Sequence, residues 1–197
     1  MSSSGARDRV LDAALRLIRR RGDARVTMAH IAKAAGLSRQ AVYLHFADRA
    51  ALMVALARHN HERLGLPADI QRLKNAPTGT AMLEMAVSLN ARKNAEVWAV
   101  ARAVDAIRRT DAAAARAWQD RLESRLALCR VIVSRLEAEG SLRPGLNSSI
   151  AADLLWTMTS LRMWEDLVLD REWSAAQYQR YVTRVVIGAL TSGSQSS

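Results

Sequence analysis

Residues 27–46, TMAHIAKAAGLSRQAVYLHF, read as two short helices broken by a glycine turn. Thr27 and Ser38 are hydroxyl residues standing where helix N-caps belong, each placed to accept from the orphan amides of a first turn. Ile31, Ala32 and Ala35 give the first helix a small apolar face, and Ala41, Val42 and Phe46 do the same for the second. Gly36 lies between them, where the bend needs a residue free to take positive φ. Two helices joined in this way make a helix-turn-helix, whose second helix enters the DNA major groove. That second helix carries Arg39, Gln40, Tyr43 and His45, side chains that reach bases and phosphates. An ordinary helical hairpin has the same outline, but the caps and the basic surroundings favour the DNA-binding form.

The charge distribution points the same way. The chain has 197 residues and a formal charge of +10. Residues 1–63 hold 12 Lys and Arg against 5 Asp and Glu, whereas the remainder holds 17 against 14. A positive charge gathered in the first third is the electrostatic footprint of a nucleic-acid-binding segment. Half of the residues are hydrophobic, enough for a small domain and a larger one. The single cysteine, Cys129, leaves no intrachain disulfide to expect. MSSSGARDR lacks the apolar core of a signal peptide, and no uncharged apolar run reaches ~18 residues. The expectation is a cytoplasmic protein with no membrane partner.

No strand-like alternation persists, so the fold class expected is all-α. A first helix spans about 6–21, with Val10, Leu11, Ala14, Leu17 and Ile18 on one stripe; Arg19, Arg20, Arg21 and Gly22 close it. Asp48 caps a fourth helix running to about Leu64. Residues 65–78, GLPADIQRLKNAPT, read as a linker, and helices are expected over about 79–91, 95–109, 111–139, 148–170 and 174–191. In the last of these, Tyr178, Tyr181, Val182, Val185, Val186 and Ala189 form a wide uncharged stripe that must bury against something.

Residues 10–52 resemble the N-terminal domain of the TetR/AcrR family of bacterial transcriptional regulators. The resemblance lies in VLDAALRLIRRRG followed by VTMAHIAKAAGLSRQAVYLHFADRAAL, and covers about a fifth of the chain. It implies a three-helix DNA-binding domain over 1–52, with a fourth, connecting helix over about 48–64. It further implies a helical ligand-binding and dimerisation domain over 65–192, and the polar residues over 193–197 read as a disordered tail. Thr27 and Tyr43 would contact phosphates, with Ser38 opening the recognition helix. Arg39 and Gln40 would face base edges, a phosphate contact being the alternative for each, and His45 would lie at the DNA backbone. Arg49 stands where the family usually has lysine, which keeps the charge and changes its geometry. Asp23 stands where an aromatic is common, and Ala50 where an acid is common.

The resemblance also implies a homodimer that reads a near-palindromic operator and releases it when a small-molecule effector binds. Stiff tryptophans and flexible methionines suit an apolar or aromatic effector, and all five Trp fall after residue 97. Candidate wall residues are Met85 and Leu89, Trp98 and Arg102, Trp118 and Leu122, and Trp156, Met163 and Trp164. For any one of them, plain core packing is the competing reading, and a surface ion pair with Asp105 competes at Arg102. A dimer interface is expected from the last helix, with Leu154, Met158, Leu161 and Glu165 from the helix before it. His59 and His61 are spaced to point to different sides, so no metal site is expected. No phosphate loop, nucleotide fingerprint or nucleophile elbow occurs, so neither cofactor nor catalytic residue is expected. Two rivals remain: a DNA-binding regulator controlled by a protein partner or by abundance, and a helical enzyme tethered to DNA.

Overall fold

The computed structural model describes residues 3–21 and 26–192, and these are all-α. Among them one isolated antiparallel bridge, between Leu142 and Thr191, is the sole extended pairing. Gly22 as the cap of the first helix, Asp23 and the tail over 193–197 lie outside the described residues.

The helices divide between two compact units. The first holds the described residues up to Leu66 together with Glu96–Arg121, and the second holds Pro67–Ala95 together with Leu122 onward. Helices α1 (Ser3–Arg21), α2 (Met28–Ala35), α3 (Arg39–His45) and α4 (Arg49–Arg63) belong to the first unit. On α1, Val10, Leu11, Ala14 and Ile18 are fully buried, and Leu15 joins them while Leu17 sits half-covered at the margin. Ile31 of α2, Val42 of α3 and Leu52, Met53 and Leu56 of α4 complete the centre.

A cut near residue 65 does not separate this unit. Ala99, Val100, Ala103 and Val104 of α6 (Gly79–Ile107) and Ala114 of α7 (Ala112–Ala138) are buried in the same core. Four short helices leave apolar surface uncovered, and a small domain gains much by covering it. Asn60 Nδ2 donates to the Glu96 carbonyl at 3.1 Å, and the Glu96 carboxylate accepts from Arg19 and Arg63. The sequence expectation of two helices over 79–91 and 95–109 is corrected to one, because the polar run Arg92–Lys93–Asn94 continues the helix.

The second unit contains α5 (Leu66–Lys74), the first part of α6, the later part of α7, α8 (Ser148–Met158), α9 (Leu161–Trp164) and α10 (Ala175–Leu190). The expected linker therefore holds a helix. Gly65, at φ 67°, ends α4, and Pro67 sits in the first turn of α5, where its missing N–H costs nothing. The expected helix 148–170 is also broken. Thr159 leaves helical geometry, Ser160 caps α9 by accepting from Met163 N at 3.0 Å, and a π-helical turn covers Glu165–Asp170. Gly79 is needed for space, since a Cβ there would lie 2.7 Å from a Leu136 side-chain carbon.

Candidate nucleic-acid interface

The geometry of α2 and α3 starts at their caps. Thr27 Oγ1 accepts from His30 N at 3.3 Å, while Thr27 N donates to His30 Nδ1 at 3.4 Å, a reciprocal capping box. Gly36 closes α2 at φ 66°, and the Leu37 amide donates back to the Ala32 carbonyl at 3.0 Å. Ser38 Oγ then accepts from Ala41 N at 3.1 Å to open α3. Asp48 opens α4 in the same way, accepting from Ala51 N at 2.7 Å. Val42 and Phe46 turn inward, and the Arg7 guanidinium lies 5.3 Å from the Phe46 ring centre.

These caps bring residues from three helix starts together. An open depression of about 470 Å³ is lined by Val26, Thr27, Met28, Ala29, Arg39, Tyr43 and Arg49. Arg49 Nε donates to the Val26 carbonyl at 3.2 Å, which fixes that side chain at the rim. Residues bearing two guanidinium groups, a phenol and a hydroxyl line one concavity at the start of α2. Such an array suits a phosphate oxygen. Four of the seven expected DNA contacts, Thr27, Arg39, Tyr43 and Arg49, share this depression. Arg39 thus lies with the expected phosphate contacts. Ser38 spends its hydroxyl on the cap, Gln40 is exposed on the adjoining face, and His45 is half-buried beside Phe46.

Sequence reasoning passed over Leu44, which is 82% exposed on α3. Its position two residues after an inward-facing valine was the available signal.

Residues 10–56 match the family model described as bacterial regulatory proteins, tetR family. Over that segment the chain matches the TetR family. An HTH-type transcriptional regulator of Mycobacterium tuberculosis is 48% identical over 60 residues, which span 30% of this chain and 30% of that relative. TtgR of Pseudomonas putida, an HTH-type transcriptional regulator, is 45% identical over 56 residues, 28% of this chain and 27% of its own. The sequence match therefore spans under a third of these relatives. Solved structures resemble more of the chain. SmeT, the repressor of the Stenotrophomonas maltophilia efflux pump SmeDEF, has a TM-score of 0.73 at 20% identity, covering 95% of this chain and 91% of SmeT. FadR of Bacillus subtilis, solved with stearoyl-CoA, gives 0.73 at 17% identity, covering 92% and 97%. At these identities the likeness is one of fold.

The expected effector residues divide between the two units. In the first unit, Trp98 and Trp118 pack against the buried core. Arg108 and Arg121 lie 5.3 and 5.4 Å from the Trp118 ring centre, and Arg102 pairs with Asp105 at 3.5 Å. In the second unit, Trp164 is buried, Met163 is half-buried, and the Arg125 guanidinium lies 5.2 Å over the Trp156 ring. Arg125 also donates to the Trp156 carbonyl at 2.9 Å, and Trp156 Nε1 to the Leu122 carbonyl at 3.4 Å. Met85 and Leu89 line a recess of about 70 Å³ with Asp69, Arg72, Leu73 and Arg92. That volume fits two or three waters, and the recess touches no tryptophan.

The expected dimer stripe also divides. Tyr178, Val182 and Val186 are buried within the chain itself, which corrects their assignment to an intersubunit contact. Leu154, Tyr181 and Val185 are exposed, while Met158, Leu161, Glu165 and Ala189 are half-covered. The reason is that α10 must cover its own core before it can offer a face outward. Cys129 is buried, and burial pushes its thiol up to about 11. That position does not suit an oxidant sensor, which needs thiolate near neutral pH.

Proposed function

We propose that this TetR-family chain is a transcriptional regulator that binds a near-palindromic DNA operator as a homodimer. It acts as a repressor, released when a small apolar or aromatic effector binds its second unit. The observation that carries the DNA-binding part is the depression shared by Thr27, Arg39, Tyr43 and Arg49 beside an exposed α3. Two such helices in a symmetric dimer would read half-sites about one turn, ~34–36 Å, or more apart. Release requires that the effector bind the non-operator conformation more tightly, since equal affinity for both shifts nothing. α6 and α7 each have residues in both units and are the natural carriers of that change. The effector is supported by fold neighbours solved with triclosan, stearoyl-CoA and choline.

A second reading is a regulator controlled by a protein partner or by abundance. It is favoured by the packing of Trp98 and Trp118 into the core, away from both depressions. One experiment separates these. The full-length protein is titrated with duplex DNA from upstream of its own gene and with random duplex of equal length, at rising salt. Triclosan, stearoyl-CoA and choline are then added singly. Preference for the upstream duplex, falling steeply with salt as counterions are released, supports the regulator reading. Quenching of Trp fluorescence together with DNA release by one compound supports the effector. Binding that no compound disturbs leaves the second reading, and binding without preference or salt dependence overturns both.

A further inference from the structure

Leu44 is the most exposed large apolar side chain among the described residues, at 82%. Its direction follows from helix geometry, since successive side chains are turned by about 100°. Val42 of the same helix is fully buried, so Leu44, two residues on, points about 160° away from the core. It stands on the crest of α3. Gln40 lies one turn back and shares that crest, also exposed. Arg39 and Tyr43, again one turn apart, occupy the flank that lines the depression with Thr27 and Arg49. The surface of α3 is therefore sorted: cation and phenol toward the phosphate-like cradle, amide and isobutyl group outward.

A bare leucine on the crest of such a helix makes no hydrogen bond and is unfavourable in water. It is useful only against an apolar partner. In the major groove the base edges present donors, acceptors and one apolar group, the C5-methyl of thymine. We propose that Leu44 reads a thymine methyl in each half-site, with Gln40 bonding a neighbouring base edge and Arg39 and Tyr43 holding the phosphate backbone. The proposal rests on the DNA-binding reading above and assigns base selection to the crest and not to Arg39. The two guanidinium groups on one flank fix the occupant as DNA, because they set an anionic backbone beside the apolar crest.

The test uses the full-length protein and a random duplex library. The enriched duplex is remade with each thymine in turn replaced by deoxyuridine, which removes only the methyl group. One thymine per half-site should then lose about fourfold in affinity, the factor that accompanies burial of one methyl. Leu44→Ala, an exposed and foldable change, should bind the thymine duplex about as weakly as wild type binds a duplex with that thymine replaced by deoxyuridine in both half-sites. It should also be indifferent to the methyl. Arg39→Ala should weaken all sequences in parallel. A methyl effect that persists in Leu44→Ala, or no methyl effect at any thymine, overturns the proposal while leaving the regulator reading intact. Altered sedimentation of DNA-free Leu44→Ala, with thymine preference kept, would assign the leucine to contact between copies and overturn it too. A library from which nothing is enriched sinks both readings.

Discussion

At Glu96 two arginines meet on one carboxylate: Arg19 from α1, and Arg63 from α4 at 2.7 Å. The contact ties three helices of the first unit at a position 41% exposed. Burial pushes the Glu96 carboxyl up, but the hydrogen bonds and charges of Arg63 and Arg19 outweigh it and leave the group below its ordinary value. A carboxyl depressed in the folded state stabilises above its unfolded value and loses that contribution as pH falls through the folded value. Glu96→Gln should therefore lower stability at neutral pH by about 1 kcal/mol or less, as exposed ion pairs do. The gap from wild type should close on acidification and narrow with salt. Thermal melts of both proteins across the acid range check this. A gap that is unchanged by pH would assign the loss to packing and not to charge.

At the scale of elements, the helix-turn-helix was legible because its determinants are local. A cap hydroxyl bonds an amide three residues on, and a glycine supplies one dihedral, so neither depends on distant residues. Gly36→Ala places a Cβ in the left-handed region at φ 66°, with nothing within 4 Å to blame, and should cost about 1 kcal/mol through backbone strain alone. Ser38→Ala removes an N-cap and should cost about the same. Denaturant melts check both, and Gly36→Asn should recover much of the loss because asparagine tolerates this conformation. Loss in Gly36→Ala but full stability in Ser38→Ala would mean that the cap of α3 contributes nothing. The break between α8 and α9 was not legible. The Thr159 carbonyl accepts from Asn90 Nδ2 at 3.0 Å, and the amide that a continuous helix would send to it, from Met163, goes to Ser160 Oγ instead. A partner 69 residues away in sequence and the local Ser160 cap meet at that interruption.

At the scale of the whole molecule, α10 has two apolar faces with different destinies. Tyr178, Val182 and Val186 fill the second unit's core, while Tyr181 and Val185 are left 44% and 54% exposed, and Leu154 and Ile150 of α8 are exposed too. Val185→Asp should convert the proposed dimer to a folded monomer, whereas Val186→Asp should unfold the second unit, because an unpaired charge would enter a fully buried site. Light scattering with circular dichroism distinguishes the outcomes, and a dimeric Val185→Asp would remove α10 from the interface. The sequence by itself determined the helical class, the capped pair α2–α3 and the concentration of positive charge, since each rests on spacing, local hydrogen bonding or composition. It marked the stripe of α10 as apolar without dividing it, because periodicity reports that a face is buried and not against which chain. Tertiary structure alone decided that Glu96–Arg121 completes the first core, and that Arg39 joins Thr27, Tyr43 and Arg49 in one depression. It also left Leu44 exposed on the crest beside Gln40. Those outcomes depend on which apolar surfaces remain uncovered once the local helices have formed, and that is settled by packing in three dimensions.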